Sequence, residues 1–117
     1  MKIAVDTNVL VRAITDDDRR QSRVARAQLT DADLVALEIP GLCGLVWVLS
    51  RGYGHSAGEI AATVRRLIDS ANVVVDRPAA QAGLDLLEAG GDFADGAIAY
   101  EGSWLGPRPS FPSIGRP

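Results

Sequence analysis

The sequence predicts a three-layer α/β domain in which a parallel central sheet is flanked by helices. Three short apolar segments, at residues 2–5, 34–37 and 73–75, have the length and composition of buried strands. Segments with helical periodicity separate them, and strands that alternate with helices form parallel sheets. Such sheets bind ligands at the carboxyl ends of their strands, so functional residues are expected there.

The first strand ends at Asp6, and a helix is predicted over residues 8–14. The acidic run at residues 16–18 suits the positive end of a second helix, which reaches about residue 30. A third helix begins near Pro40, which is favoured in a first helical turn, and ends near Gly52. It is apolar on most sides, so it is expected to be buried, and Cys43 and Trp47 are assigned to the core or, for Trp47, to a dimer interface.

In the second half of the chain, Ser56 and Glu59 have the spacing of a capping box at the start of a fourth helix. Pro78 opens a fifth helix, which is expected to direct Leu86 inward, and the last helix runs from about residue 92 to 104. The domain is therefore assigned to residues 1–105. Residues 106–117 contain four prolines in eleven positions after Gly106 and are interpreted as an irregular tail.

Composition restricts the class of protein. The 117 residues carry a net charge of −3, so any contact with nucleic acid must come from a local basic patch. Cys43 is the only cysteine, which excludes an internal disulfide and predicts a cytoplasmic location. We expect no leader and no membrane span, because no apolar run approaches about 20 residues.

Asp6 is the first candidate for chemistry. An acid at a strand end, followed by Thr7 and Asn8, can hold a divalent cation, although Asp is also a common helix N-cap. Haloacid-dehalogenase-like phosphatases place a second Asp where this chain has Asn8. They and response-regulator receivers also require a lysine later in the chain, and Lys2 is the only lysine here. A nucleotide-sensing domain is disfavoured because no Gly-rich phosphate loop is present.

Asp92 and Asp95 form the second candidate group, because residues three apart share a face at the start of a helix. Asp92 alone fits an N-cap, whereas Asp95 lies one turn further in. A stripe of Arg19, Arg23 and Arg26 has helical spacing as well. Its ordinary interpretation is a solvated helix face, and the alternative is that these arginines, with Arg20, contact phosphate or an acidic partner.

Together, residues 5–10 (VDTNVL), 45–53 (LVWVLSRGY) and 92–99 (DFADGAIA) resemble the PIN domain of bacterial VapC-like toxins. The resemblance implies a metal-dependent endoribonuclease that uses Mg²⁺ or Mn²⁺. It implies a toxin that forms a homodimer, cleaves RNA and is held inactive by a cognate antitoxin. It also implies that Asp6 and Asp95 are catalytic, metal-binding acids and that Asp92 is an accessory ligand. Arg19, Arg23 and Arg26 would then contact RNA or the antitoxin.

The chain departs from the VapC-like pattern at two places. Gly44 stands where relatives carry a glutamate, and glycine costs about 1 kcal/mol in a helix interior, so we interpret it as a lost acidic position without local benefit. The alternative is a small residue that lets a neighbouring element approach.

The second departure is the tail. Back-translated with one permitted codon choice and read in another frame, residues 106–117 give Ala-Glu-Thr-Phe-Val-Pro-Phe-Asp-Arg-Lys-Ala, the family's continuation with its fourth acid. A frameshift near Gly106 or a natural short form both remain open, and the C-terminal strands are expected to be lost. The sequence therefore predicts an impaired nuclease with an open sheet edge. The alternative is a non-catalytic PIN module that dimerises and binds antitoxin.

Overall fold

Three parallel strands form the centre of the fold, in the order β1 (Lys2–Val5), β2 (Leu34–Leu37), β3 (Val73–Val75). Val5 of β1 pairs with Leu37 of β2, which pairs in turn with Val75 of β3. The computed structural model describes residues 1–103. It confirms the predicted α/β class and the parallel sheet, and the predicted tail at residues 106–117 lies outside the described residues.

Six helices surround this sheet within residues 1–103, and their bounds agree with the predicted ones to within a few residues. They are α1 (Thr7–Thr15), α2 (Arg19–Asp31), α3 (Ile39–Trp47), α4 (Ala57–Ile68), α5 (Arg77–Glu88) and α6 (Phe93–Ser103). The third helix ends earlier than predicted, because residues Val48–Gly52 form a π-helical turn that continues it. No helix in this part of the chain is long and apolar enough to cross a membrane.

Local signals position the helix starts as the sequence predicts. The Ser56 side chain accepts a hydrogen bond from the Glu59 amide, and the Glu59 carboxylate accepts one from the Ser56 amide, which confirms the capping box. These bonds lower the pKa of Glu59. Within the acidic run, Asp18 alone caps α2, whereas Asp16 ends α1 in the left-handed conformation at φ 59°. Asp17 accepts a hydrogen bond from the Tyr53 hydroxyl instead.

The core lies between the sheet and the helices, and it corrects three predicted assignments. Leu86 is exposed, because the buried face of α5 is formed by Ala79, Ala80, Gly83, Leu84 and Leu87. Trp47 is 64% exposed, so its assignment to the core is wrong, while its assignment to a dimer interface stays a prediction. Cys43 is half-buried and packs against the core rather than inside it. Helix periodicity located the apolar face of each helix only approximately, since a helix with several apolar residues offers more than one such face.

Candidate active site

Acidic residues follow all three strands at the carboxyl edge of the sheet. Asp6 comes directly after Val5, Glu38 after Leu37 and Asp76 after Val75, and these strand ends are paired in register. Asp6 was predicted from the sequence, whereas Glu38 and Asp76 were missed. The available signal was the same for all three residues, namely an acid that ends an apolar strand.

These three acids differ in what their carboxylates do. Asp6 accepts a hydrogen bond from the Val9 amide at 3.0 Å, and Asp76 accepts one from the Ala79 amide at 3.2 Å, so both cap the helix that follows. Glu38 also precedes a helix, α3, but its side chain makes no capping hydrogen bond. Glu38 is therefore the acid at this edge whose carboxylate its own helix does not use.

Asp6 and Glu38 share an open cavity of about 340 Å³ at the carboxyl ends of β1 and β2. Thr7 and Gly41 also line it, and the Thr7 hydroxyl donates a hydrogen bond to the Gly41 carbonyl at 3.2 Å. The lining contains two carboxylates and no Lys, Arg or His. A phosphodiester at this position would be repelled by both acids unless a cation lay between them.

Gly44 lies where α3 meets the beginning of α1. A Cβ atom built at this position would lie 2.4 Å from the Thr7 hydroxyl oxygen and 3.0 Å from the Thr7 methyl carbon. The expectation that this glycine brings no local benefit is wrong, because its lack of a side chain lets Thr7 pack against α3. The same geometry shows that a side chain at position 44 would point towards the residue next to Asp6.

Asp92 and Asp95 lie at the start of α6, and neither lines the cavity that Asp6 lines. The Asp92 carboxylate accepts a hydrogen bond from the Ala94 amide at 2.9 Å, which is the capping role that the sequence allowed. Asp92 also lines a cavity of about 270 Å³ together with Trp47 and Arg51. Asp95 is exposed in the first turn of α6 and lines neither of these two cavities.

The three arginines of the predicted stripe on α2 are exposed, and one of them also makes an internal contact. Arg26 donates a hydrogen bond from Nε to the Ala13 carbonyl at 2.7 Å, so it also joins α2 to α1. Arg19 and Arg23 are exposed and form no ion pair with any other described residue. Arg20 lines a groove of about 480 Å³ together with Arg12 and Asp18, and sequence reasoning missed Arg12.

The fold and this edge define a parallel α/β domain with acids at the carboxyl ends of its strands. The chain belongs to the PIN domain family, whose model matches residues 3–99. No curated protein and no solved structure matches the chain. PIN domains are generally metal-dependent nucleases, so the chain is a nuclease-type module.

A divalent metal fits this site only in part. The carboxylates of Asp6 and Glu38 are oxygen ligands of the kind that Mg²⁺ and Mn²⁺ prefer. However, the described part of the chain holds no group of three or more His, Cys, Asp or Glu side chains that could hold a metal ion. The assignment of Asp6, Asp95 and Asp92 as one ligand set therefore stays a prediction.

Proposed function

We propose that this chain is a VapC-like PIN domain, the toxin of a toxin–antitoxin pair, whose endoribonuclease centre is incomplete. The observation that carries the proposal is the carboxyl edge of the sheet. Asp6 and Glu38 face one cavity, while position 44, which points towards this edge, has no side chain. Two carboxylates bind a hard dication more weakly than the larger oxygen-ligand sets that such ions favour.

The cofactor of the intact centre would be Mg²⁺ or Mn²⁺, which would neutralise the phosphate and activate water. In this chain, the cavity at Asp6 and Glu38 has no Arg or Lys in its lining. Without a bound cation, its two acids oppose the approach of a phosphodiester. A bound dication removes this repulsion, so cleavage at this site depends on how tightly the two acids hold the ion.

A second function, a non-catalytic PIN module that captures a cognate antitoxin, is favoured by the surface of α1 and α2. Arg12 and Arg20 line one groove, and Arg19 and Arg23 are exposed on α2. An acidic protein segment suits these charges, whereas binding of long RNA is opposed by the net charge of −3. A cytoplasmic location, expected from the single Cys43, belongs to the same proposal.

Restoring the centre in two steps tests the impaired-nuclease proposal. We expect the chain as written neither to arrest growth nor to degrade RNA, and Gly44→Glu alone to leave it inactive. Gly44→Glu combined with the restored reading frame near Gly106 should give Mg²⁺-dependent cleavage, and Asp6→Ala in that background should abolish it. Thr7 must shift to admit the new side chain, since the Cβ position lies 2.4 Å from its hydroxyl oxygen.

Growth curves and an RNA cleavage assay with and without EDTA measure these outcomes. Circular dichroism of each variant separates a folding failure from an inactive site. Efficient cleavage by the unchanged chain that survives Asp6→Ala would contradict both the incomplete centre and the site.

Calorimetry with Mn²⁺ at neutral pH provides an independent test. We expect binding weaker than about 100 μM, because the described residues bring no three acidic ligands together. Glu38→Gln should weaken the remaining binding further, while Asp76→Asn, at the other edge strand, serves as the matched control. Micromolar or tighter binding would mean that the metal centre is complete.

A further inference from the structure

Helix α3 has one solvent-accessible face, and this face leads away from the acidic cavity. Four residues at helical spacing form it, and they are exposed or half-buried: Pro40, Cys43, Gly44 and Trp47. Pro40 lines the cavity that holds Asp6 and Glu38, and Trp47 lies seven residues further on, about 10 Å along the helix axis. Two turns of one helix therefore connect the acidic edge of the sheet to Trp47.

At the end of α3, Trp47 borders the cavity of about 270 Å³ that Arg51 and Asp92 also line. Trp47 and Arg51 are both exposed, and Arg51 forms no ion pair with any other described residue. One oxygen of the Asp92 carboxylate accepts the hydrogen bond from the Ala94 amide. Because a carboxylate has two acceptor oxygens, Asp92 can accept further hydrogen bonds. The cavity thus combines an aromatic ring, an unpaired cation and a strong acceptor.

These three groups complement the face of a base, its phosphate and its hydrogen-bonding edge. Unpaired bases stack on aromatic side chains, guanidinium groups pair with phosphate, and carboxylates accept hydrogen bonds from base amino groups. We propose that this cavity binds one unpaired guanine nucleotide of single-stranded RNA. Its base stacks on Trp47, its phosphate pairs with Arg51, and its Watson–Crick edge donates to Asp92. The inference rests on the proposed RNA substrate and adds a base-binding subsite beside the acidic edge.

The Asp92 carboxylate selects the base. Guanine presents two adjacent donors, the N1–H and the N2 amino group, and one carboxylate can accept both hydrogen bonds. Adenine and cytosine present an amino group beside an acceptor nitrogen, and uracil presents one N–H between two carbonyl oxygens. Each of these three bases would therefore place an acceptor next to the carboxylate, where it is repelled.

The size and charge of the cavity favour this ligand over a duplex or an acidic peptide. Its volume of about 270 Å³ lies just below the range of roughly 300–1,000 Å³ that holds drug-sized molecules, which suits a single ring system. The bases of a duplex stack on one another, so none can lay its face on Trp47. An acidic peptide would meet Asp92 as well as Arg51 and would gain no net charge attraction.

Fluorescence titration in EDTA tests the subsite without any metal chemistry. In a full-length Trp104→Phe background, Trp47 is the only tryptophan, and a base stacked on its ring should quench its emission. The probes are oligouridines of about nine nucleotides with guanosine, adenosine or uridine at the centre. The guanosine probe should bind at least about tenfold more tightly than the other two. Equal affinities, or no quenching by any probe at about 100 μM RNA, would overturn the proposal.

Anisotropy of the same probes, labelled with fluorescein, separates the roles of the three side chains. Trp47→Ala should weaken binding about tenfold or more, and Trp47→Phe much less. Asp92→Asn should remove most of the preference for guanosine. Arg51→Gln should weaken all probes alike and reduce the salt dependence, whereas Arg66→Gln, at an exposed position on α4 outside the cavity, should change neither. An unchanged guanosine preference in Asp92→Asn, or equal effects of the two arginine substitutions, would contradict the assigned contacts.

Two further measurements separate the subsite from the nuclease function and from a protein interface. Because binding is measured without metal, a guanosine preference that depends on Trp47 supports the subsite even if the chain restored at position 44 and in its reading frame does not cleave RNA. Cleavage by the restored chain that is indifferent to Trp47→Ala would retain the proposed function and refute the subsite. A Trp47→Ala change that lowers the sedimentation coefficient without weakening RNA binding would assign Trp47 to an interface between chains, which also refutes it.

Discussion

Two helix contacts in this protein depend on glycine, and they differ in what lies opposite the missing side chain. At the contact between α1 and α3, the three atoms nearest to a Cβ on Gly44 would all belong to the Thr7 side chain. At the contact between α5 and α6, a Cβ on Gly83 would lie 2.8 Å from two ring carbons of Phe93 and 2.9 Å from its carbonyl oxygen. A Cβ on Gly96 would lie 2.6 Å from the Ala82 carbonyl oxygen.

The two contacts differ in whether the atoms opposite the glycine can move without moving a helix. The Thr7 side chain can rotate or be shortened without moving its helix. Backbone carbonyl oxygens and the fully buried Phe93 ring can move only if α5 and α6 separate. The α5–α6 pair is therefore fixed by packing, whereas position 44 at the candidate site tolerates change at a lower cost in stability.

The largest expected effect is the loss of the Phe93 ring. Phe93→Ala removes a side chain that is 1% exposed, and it should destabilise the fold by about 3–5 kcal/mol. Urea unfolding followed by circular dichroism measures this change. Phe93→Leu is the control that keeps most of the volume. A loss below about 1 kcal/mol for Phe93→Ala would mean that α6 is not held by this contact.

Adding a methyl group at the contact between α5 and α6 should destabilise the fold less than Phe93→Ala does. We expect Gly83→Ala to destabilise the fold by about 1–3 kcal/mol, because the new methyl group overlaps the Phe93 ring and carbonyl. Gly58→Ala is the matched control in α4, where a Cβ meets only the Ser56 hydroxyl oxygen at 4.0 Å. That control should be neutral or stabilise by about 0.4–1 kcal/mol. Equal effects of the two substitutions on the free energy of unfolding would remove the distinction between the contacts.

At the contact between Gly44 and Thr7, the change in the free energy of unfolding should be small and should depend on the Thr7 side chain. Gly44→Ala gains helix propensity but crowds Thr7, so the net loss should be about 1 kcal/mol or less. In a Thr7→Ala background, the same change should become neutral or stabilising. A double-mutant cycle of unfolding free energies should give a coupling of at least about 0.5 kcal/mol. Additive effects would show that Thr7 does not limit position 44.

The smallest expected effect concerns an exposed ion pair that joins α4 to α5, the helix that also packs against α6. Arg65 donates two hydrogen bonds to Glu88, at 3.0 and 2.6 Å, and these bonds lower the pKa of Glu88. A lowered folded-state pKa stabilises above the unfolded value of about 4.5, and this stability is lost as the pH falls through the folded pKa.

Thermal melts between pH 3 and 7 should therefore show a decline below about pH 4.5 that Glu88→Gln makes slightly shallower. Solvent screens the pair, so the difference should be small. Glu59→Gln should likewise make the decline slightly shallower, since the α4 capping box lowers the pKa of Glu59. A steeper decline in Glu88→Gln than in the unchanged chain would contradict the assigned sign.

Local sequence rules predicted much of the fold because its signals lie close together in the chain. The capping box at Ser56 and Glu59 and the strand that ends at Asp6 each depend on neighbours within a few residues. Leu86 was wrongly predicted to be buried: it borders α6, where a Cβ on Gly96 would lie 3.0 Å from the Leu86 Cβ, but it stays 37% exposed because the extent to which a neighbouring helix covers a face depends on tertiary packing. The site was predicted only in part, since Glu38 was missed although the local signal that identified Asp6, an acid that ends an apolar strand, was present there too.

The sequence by itself determined the parallel α/β class, the capped helix starts and the acid at the end of β1, since these follow from periodicity, capping chemistry and turn residues. Only the tertiary structure decided that Glu38 joins Asp6 in one cavity, that Asp92 lines another, and that Gly44 receives Thr7. Those features depend on contacts between residues more than 30 positions apart. Such contacts are set by how strands pair and helices pack, and no local pattern encodes them.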